Sequence, residues 1–494
     1  MLKRIIGGIL SAASIAGAFL APGYLATLKY PQLGHAPAPL MANVKARDLT
    51  LVCPGSAFAT GGHSGTSVSS FARTGTATVN YSSNLPGGVA LKAIPLEGPG
   101  ASFSRPANTS NGVATIATLS SVAVTVEDPG GVAQQSSGLF TAQSFQASAG
   151  AGINGVLATN CQNPEPESWL VGGVTTVGRE ALLVLANPTQ TDATVSLKLW
   201  GEQGIIDGAG LNGISVSANR TVVLPLAGFA PDQKALAVQV VSSGAPLATW
   251  IQERTTRGTV SAGADLVSPS IPAATNLVIP GLLKRGTKDA QTLIAANPDY
   301  QDLTPSIQVF NPGASDASVT IQVIGSDAKS LGTVLQETVG AGSVGTFDLS
   351  GLADGDYSVF VGADQPVMAA AKLSRTNAKA TPSNDFAWLP AVAPMSIPVT
   401  LTSPKSGVTK ISVANGGNAT ATVQIVSHQP SGVQTLTLQP LASRVLAVPA
   451  GSVISVSAVQ PVAATMVSDF NGQLTALGFV DYRNSGGKLS VTVR

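Results

Sequence analysis

The chain has 494 residues, of which 11% are charged, and its formal net charge is +1 at pH 7. This length gives room for about three or four domains. A charge near zero, with no basic stripe, excludes the electrostatic footprint of a nucleic-acid-binding protein. Beyond the first thirty residues there is no long amphipathic helical pattern, and alanine, valine, serine, threonine and glycine dominate. We therefore predict a folded, all-β chain.

The amino terminus carries a candidate membrane segment. Lys3 and Arg4 precede Ile5 to Leu28, a run of 24 residues without a charge. As a helix it would be about 36 Å long, enough to cross a hydrocarbon core of about 30 Å. The preceding positive charge places the remainder outside the cytoplasm. We predict a signal anchor at residues 1–28 that holds the protein in the cytoplasmic membrane; the alternative is a signal peptide cut near Ala16-Gly17-Ala18, which would give a secreted protein.

A stalk and a first β domain are expected next. Residues 29–47 contain three prolines and predict the stalk, and residues 48–162 predict the domain. The two cysteines of the chain, Cys53 and Cys161, bracket that domain. In an exported protein such a pair predicts a disulfide, with two buried thiols as the alternative.

One segment of the second domain, Leu183 to Trp200, recurs at Ile307 to Ile324 and at Ile411 to His428. Each copy contains an asparagine followed by turn-forming residues, with apolar and polar positions alternating on both sides. This period of two predicts strands with one buried and one solvated face. The turn between the two runs predicts a β-hairpin in each copy.

A second signature follows each copy, a proline that enters an apolar or small-residue run: Pro246, Pro366 and Pro461. The three asparagines are 124 and 104 residues apart, so the repeating unit is a whole domain and not a solenoid repeat. We predict β-sandwiches at residues 163–273, 274–380 and 381–494, with Trp388-Leu389-Pro390 opening the last.

The third of these domains contains Leu352-Ala353-Asp354-Gly355-Asp356-Tyr357-Ser358-Val359. This stretch is similar to the corner of immunoglobulin-like sandwiches in which a tyrosine hydroxyl bonds to upstream backbone. The fold class expected is therefore all-β, with tandem immunoglobulin-like β-sandwich domains after an N-terminal transmembrane helix.

A family resemblance rests on four features: Cys53-Pro54-Gly55, Cys161, the Trp169-Leu170-Val171-Gly172-Gly173 opening and Leu185-Ala186-Asn187-Pro188. With these motifs the chain resembles a family of uncharacterised, membrane-anchored exported proteins of actinobacteria. The resemblance covers roughly Asp48 to Arg494. It implies a cell-envelope setting and no catalytic residues.

Residues suited to catalysis or metal binding do not converge in the sequence. The three histidines share no motif: His35, His63 and His428. Metal sites and Ser-His-Asp catalysis need such convergence. Two acidic pairs could flank a cation or a glycosidic bond but are expected to be solvated: Glu165 with Glu167, and Asp354 with Asp356. We predict no catalytic residue, no metal site and no cofactor.

Trp200 is the one aromatic residue that the alternation places on a polar face, beside Lys198. Interdomain packing is one explanation, and a recognition surface for glycan or protein is the other. Trp169, Trp250 and Trp388 lie at domain starts or in apolar runs and predict core or joint packing.

The function expected from these features is that of a non-catalytic, membrane-anchored extracytoplasmic protein of the cell envelope, an accessory or scaffold for cell-wall or surface-polymer assembly. Its partners would be envelope proteins or cell-wall glycans. The alternatives are a carbohydrate-binding surface module array and, less favoured, an envelope hydrolase with acids or histidines from different domains in one pocket.

Overall fold

The computed structural model describes residues 40–43, 49–60, 71–83, 90–97, 103–106, 112–127, 140–150, 152–326, 332–377, 383–428, 430–482 and 488–491. The chain divides into two compact units. The larger comprises residues 47–484, and the smaller comprises residues 1–46 with residues 485–494. In the smaller unit, β1 (Leu40–Asn43) pairs antiparallel with the last strand, Lys488–Val491. The predicted stalk therefore contains a strand, because its residues 40–43 find a backbone partner near the carboxyl terminus.

The predicted anchor, residues 1–28, lies outside the described residues. Within the described ranges, no helix is both long enough and apolar enough to span a bilayer.

Four β-sandwiches make up the larger unit. Sandwich 1 contains β2 (Leu49–Cys53), β3 (Ala57–Thr60), β4 (Phe71–Thr74), β5 (Ala77–Ser83), β6 (Ala90–Pro95), β7 (Phe103–Pro106), β8 (Gly112–Thr118), β9 (Val122–Glu127), β10 (Phe140–Gly150) and β11 (Ile153–Asn160). Sandwich 2 contains β12 (Glu167–Val171), β13 (Arg179–Asn187), β14 (Ala193–Gly201), β15 (Gly204–Ile206), β16 (Asn212–Val216), β17 (Arg220–Pro225), the 3₁₀ turn Leu226–Gly228, β18 (Ala237–Ser243), β19 (Ala248–Arg257) and β20 (Val260–Val267).

Sandwich 3 contains β21 (Ala274–Arg285), helix α1 (Thr287–Ala296), the 3₁₀ turn Pro298–Leu303, β22 (Ser306–Phe310), β23 (Ala317–Gly325), β24 (Thr333–Val339), β25 (Val344–Asp348), β26 (Gly355–Asn377) and β27 (Ser383–Pro390). Sandwich 4 contains β28 (Val399–Thr402), β29 (Val408–Ala414), β30 (Ala421–His428), β31 (Ser431–Leu438), β32 (Ser443–Val448), β33 (Val453–Ala458), β34 (Ala463–Asp469) and β35 (Leu474–Gly478). The all-β prediction is confirmed.

The four sandwiches share one strand order. With the equivalent strands lettered A to H along the chain, one sheet has the order A-F-C-D and the other E-B-G-H; in sandwich 4 these are β28-β33-β30-β31 and β32-β29-β34-β35. In sandwich 2, β15 and β16 share the place of strand D, and in sandwich 3 the two halves of β26 serve as F and G. Sandwich 1 follows the same order although it lacks the repeated sequence segment.

This order differs from that of an immunoglobulin domain in three strands, and an eighth strand, H, is added. The neighbouring pairs B–E and C–F occur in both. Strand A lies here beside F rather than B, strand D lies beside C rather than E, and strand G lies beside B rather than F. Strands A, D and G are therefore each in the opposite sheet from their immunoglobulin counterparts.

The alternation read from the repeated segments is confirmed. Val195, Val319 and Val423, the central inward positions of strand C, are 0 to 1% exposed, whereas Thr194, Ser318 and Thr422 beside them are exposed. Each of the three segments thus has one side in a core and one in solvent.

The predicted hairpins are wrong, because the two strands of each segment lie in opposite sheets. β29 pairs with β32 and β34, whereas β30 pairs with β31 and β33. Between these two strands the chain crosses from one sheet to the other at the edge of the sandwich, forming an arch. Both strands turn their apolar side chains towards the same core, so their sequences alternate just as those of a hairpin would.

A buried asparagine holds each arch. Asn415 is 0% exposed; its Nδ2 donates to the carbonyls of Ala419, at 2.8 Å, and Leu438, at 3.0 Å. Its Oδ1 accepts from the N–H of Gly417 at 2.9 Å. Asn187 and Asn311 make the equivalent bonds two and four residues ahead and to the end of strand D. One amide thus satisfies backbone groups that the arch removes from water.

Two further expectations concern sandwich 3. The hydroxyl of Tyr357 donates to the carbonyl of Ala353 at 3.0 Å, which is the bond expected of a tyrosine corner. Trp388, expected to open the fourth domain, lies in β27, the last strand of sandwich 3. The fourth sandwich begins at β28 instead, since residues 383–390 complete the ladder beside β26.

The H strands of all four sandwiches, β11, β20, β27 and β35, pack against one another. We call this meeting point the H-strand junction. The four sandwiches consequently contact one another at this junction and are not separated by extended linkers.

Candidate functional site

The disulfide prediction is confirmed. Cys53, at the end of strand A, and Cys161, after strand H, form a disulfide with a Cα–Cα distance of 4.3 Å and a sequence separation of 108. Both residues are 0% exposed. Beside them, Val52 and Gln162 exchange two backbone hydrogen bonds of 2.7 and 2.8 Å. The bridge therefore closes the first and last strands of sandwich 1 onto each other.

Trp200 lies where sandwich 2 meets sandwich 3. Its ring stacks on Trp169 with a centroid distance of 5.3 Å and lies 5.0 Å from the ring of Phe310. Phe310 belongs to sandwich 3 and is 0% exposed, whereas both tryptophans are half-buried. The structure thus places this candidate recognition residue in an aromatic cluster that bridges two sandwiches while leaving part of both indoles accessible.

Polar side chains border this cluster. The Oε1 atom of Glu167 accepts hydrogen bonds from Trp169 Nε1, at 2.8 Å, and from Gln239 Nε2, at 2.7 Å. Glu167 is therefore a partner of the aromatic cluster and is not paired with Glu165, which accepts from Asn163.

The second acidic pair is also divided between two roles. Asp354 accepts from the N–H groups of Gly286 and Thr287 at the start of helix α1, both at 3.1 Å. Asp356 pairs with Arg285 and Lys410. The two carboxylates serve different partners, and the described residues contain no group of three or more histidine, cysteine or acidic side chains that could hold a metal ion.

Of the three histidines, only His428 lies within the described residues. Its Nε2 is 2.8 Å from the hydroxyl of Ser455 on the neighbouring strand. His35 and His63 are outside the described ranges.

The most connected polar group of the H-strand junction is Asp385 on β27, which is 1% exposed. Its Oδ2 accepts from the backbone N–H groups of Val156 in sandwich 1, at 3.2 Å, and Leu474 in sandwich 4, at 3.1 Å. Its Oδ1 accepts from Ala264 in sandwich 2 at 3.1 Å. One carboxyl group of sandwich 3 is therefore bonded to each of the other three sandwiches.

Burial controls the protonation of this group. Loss of water raises the pKa of Asp385 to about 8, against the opposing effect of the N–H donors. Its neighbour Asp265, also 1% exposed, accepts from Trp388 N at 2.6 Å. Burial raises the pKa of Asp265 well above its usual value, and the nearby Asp385 adds to this effect.

A buried ion pair stands next to the junction. Glu253 of sandwich 2 is 0% exposed; its Oε1 lies 3.0 Å from Lys372 Nζ and its Oε2 accepts from Trp388 Nε1 at 3.0 Å. Both partners belong to sandwich 3. Because removing either charge would leave the other buried without a partner, this pair fixes how the two sandwiches meet.

No sequence motif marks Asp385, Asp265, Glu253 or Lys372. The clearest signal was Asp265, a charged residue inside an otherwise apolar or small-residue strand. No pattern indicated that these four strands would converge, because contacts between domains have no period in the sequence.

Comparison with known proteins places the chain in a family without assigning an activity. A model described as "Family of unknown function (DUF5719)" matches residues 113–453, from β8 of sandwich 1 to the start of β33 in sandwich 4. No curated protein matches the chain. A solved structure titled "Biofilm associated protein - BSP domain" is 10% identical, with 91% of this chain and 99% of that chain covered and a TM-score of 0.11. The family match spans more than half of the sequence, and the protein thus belongs to this family of unknown function.

Proposed function

We propose that the protein is a non-catalytic scaffold of the bacterial cell envelope, anchored in the cytoplasmic membrane by residues 1–28, whose four sandwiches serve cell-wall or surface-polymer assembly. This proposal rests on the three hydrogen bonds that the Asp385 carboxyl group accepts, because they link sandwich 3 to each of the other three sandwiches. A scaffold needs surfaces held at fixed relative positions. Four domains sharing one buried junction meet that need better than four domains on flexible linkers.

The disulfide supports the extracytoplasmic location. A bridge between Cys53 and Cys161 persists in oxidising compartments and is rare in the cytosol. The envelope setting, the actinobacterial source and the immunoglobulin-like character of the sandwiches, in the broad sense of shared B–E and C–F pairs, belong to the same proposal.

Additional charged contacts between sandwiches support a rigid body. Asp302 of sandwich 3 accepts from Arg179 and Arg257 of sandwich 2. Arg375 of sandwich 3 pairs with Asp469 of sandwich 4 at 3.0 Å. Such half-buried pairs contribute modestly to stability but fix the register of the surfaces that they join.

The test uses the full-length chain in its native host. Protease treatment of spheroplasts should digest the four sandwiches and leave the amino-terminal segment protected, while intact cytoplasmic markers survive. A folded chain that resists protease until the membrane is lysed would refute the location. In-cell crosslinking should then recover a reproducible set of envelope proteins or wall polymer.

A matched pair of variants tests the scaffold role. Asp385→Ala removes the shared acceptor, whereas Asp207→Ala alters an exposed carboxylate of sandwich 2. Crosslinked partners should be lost or reduced with Asp385→Ala at equal expression and retained with Asp207→Ala. Retention of every partner by both variants would contradict a role that depends on the junction.

Carbohydrate recognition is the second candidate function, favoured by the half-buried stack of Trp169 and Trp200 beside Glu167 and Gln239. Aromatic faces next to hydrogen-bonding groups suit sugar rings. Purified cell-wall glycan should then bind the protein and lose affinity for Trp200→Ala. Phe470→Ala, a half-buried aromatic substitution in sandwich 4, is the control; equal binding by both variants would leave the scaffold role alone.

A further inference from the structure

A cleft of about 160 Å³ lies between sandwiches 3 and 4. Leu283 on β21, Val445 on β32 and Val467 on β34 form its apolar wall. Gly281 also contributes to this wall, and an added Cβ there would lie 2.9 Å from Val467 Cγ2. The glycine therefore permits the close approach of the two sandwiches, and the cleft is the space that remains beside this contact. We call it the 3–4 cleft.

One end of the 3–4 cleft is cationic. Arg285 Nη2 and Lys410 Nζ both donate to the same atom, Asp356 Oδ2, at 2.8 and 2.7 Å. Arg285 Nη1 donates to the carbonyl of Lys284 at 2.8 Å. The side chains of Arg285 and Lys410 are 27% and 32% exposed, so both can be reached from the cleft.

The charges around the 3–4 cleft do not cancel. The remaining carboxylate of its lining, Asp469, bonds to Arg375 Nε through both oxygens, at 3.1 and 3.0 Å. Arg375 lines the adjoining opening and not the cleft itself, and it neutralises Asp469. Arg285 and Lys410 therefore share the single carboxylate of Asp356, which leaves a surplus of one positive charge in the cleft. Lys410 has three donor hydrogens, and within the described residues Asp356 is the one acceptor that bonds them. An anion is the ligand that this surplus favours.

The shape of the 3–4 cleft limits the size of that anion. Since one water molecule occupies about 30 Å³ in the liquid, the cleft offers the volume of about five waters. Its outer side continues, through the shared residues Val408 and Asp469, into an opening of about 430 Å³ that also borders Phe470. A small ligand therefore has a path from solvent to the cationic end.

We propose that the 3–4 cleft binds a small aliphatic carboxylate. The carboxylate lies between Arg285 and Lys410, because a guanidinium and an ammonium together offer a planar fork and a mobile donor for its two oxygens. The hydrocarbon part packs on Leu283, Val445 and Val467. The acid has about six non-hydrogen atoms, as in butyrate.

Titration calorimetry of the full-length protein with sodium butyrate tests this proposal. We expect saturable binding with a dissociation constant on the order of 1 mM, as suits a ligand of this size. Lys410→Met should weaken binding roughly tenfold or more, because it removes a charge-assisted donor. Lys198→Met, an exposed lysine on β14 of sandwich 2, is the control and should leave the affinity within about twofold.

Two further variants keep the test decisive if Lys410→Met disturbs folding. Lys410→Arg retains the charge and should retain binding, whereas Val445→Asn makes the apolar wall polar and should weaken butyrate more than acetate. Inorganic phosphate, which lacks a hydrocarbon part, and butanol, which lacks a charge, should both bind more weakly than butyrate. The proposal is overturned if butyrate shows no saturable binding, if Lys410→Met and Val445→Asn both bind it unchanged, or if phosphate or butanol binds equally well.

Discussion

The Asp385 carboxyl group of sandwich 3 accepts a hydrogen bond of 3.1 Å from the backbone N–H of Leu474 in sandwich 4. The pKa of this buried group is raised to about 8, whereas an aspartate in the unfolded chain titrates near 4. Between these two values the folded state holds more protons than the unfolded state. The contribution of Asp385 to stability is therefore fully present below about pH 4 and is lost as the pH rises towards 8.

We predict that the free energy of unfolding falls as the pH is raised from 5 to 8, by about 4 kcal/mol if Asp385 titrates alone. Asp265, whose pKa is also raised by burial, acts in the same direction. Urea titrations at pH 5, 6, 7 and 8 measure this slope.

Asp385→Asn should flatten the pH dependence, since an amide does not ionise in this range. It should also lower stability at every pH, because its NH2 group cannot accept the backbone N–H bonds of the oxygen that it replaces. Asp207→Asn, at an exposed site, should keep the wild-type slope. A free energy of unfolding that rises between pH 5 and pH 8 in the wild type would be incompatible with this account.

The close approach of β11 and β20 gives a second prediction. A Cβ added to Gly155 would lie 2.6 Å from the backbone nitrogen of Ala264 and 2.7 Å from Asp385 Oδ1. Gly155→Ala must therefore push two sandwiches apart, and we expect it to destabilise the protein by about 1–3 kcal/mol. Thermal unfolding at pH 6 measures the change.

Gly432→Ala is the matched control, because nothing lies within 4 Å of the Cβ that it would add on β31. We expect it to change stability little, or to raise it slightly by restricting the unfolded chain. If both alanine variants melted together with the wild type, the junction would not be as tightly packed as the distances indicate.

Strands and their buried faces within a single sandwich were predictable from the sequence. Alternation around Asn187, Asn311 and Asn415 identified strands and their buried faces, because burial on one side of a sheet imposes a period of two. The same alternation could not show that the strands belong to different sheets. The repeated asparagine distinguishes the two cases in the structure, since a buried amide that bonds to backbone groups two and four residues ahead is a feature of the arch.

Relations between sandwiches were not predictable in the same way. Asp385, Val156, Ala264 and Leu474 come from four separate regions of the chain, and none of their spacings recurs. The partners of Trp200 illustrate the same point: its polar neighbours on β14 were foreseen, but its contact with Phe310 depends on how two domains pack. The 3–4 cleft likewise arises from β21 and β29, whose charged residues look ordinary in the sequence.

The disulfide gives a third prediction. Cross-linking residues 108 positions apart restricts the unfolded chain, and the chain-entropy model assigns a loop of about this length roughly 4.7 kcal/mol. Reduction should therefore lower the stability of sandwich 1 before that of sandwich 4. Hydrogen exchange with and without reductant measures this difference; Cys53→Ser with Cys161→Ser should reproduce the reduced pattern, and equal loss of protection in both sandwiches would contradict it.

The arch asparagines give the fourth prediction. In Asn415→Asp the side chain loses the two Nδ2 bonds to Ala419 and Leu438 and turns carboxylate oxygens towards their carbonyls. Because these acceptors are buried and each unsatisfied group costs about 1–3 kcal/mol, we expect a loss of about 3 kcal/mol or more in urea unfolding at pH 7. Lowering the pH to 4 should restore part of this stability by protonating the new carboxyl group.

Asn418→Asp is the control, because Asn418 is exposed in the same arch, and it should leave the free energy of unfolding nearly unchanged. Similar losses in both variants would mean that charge in the loop, and not the buried amide, sets the stability of the arch.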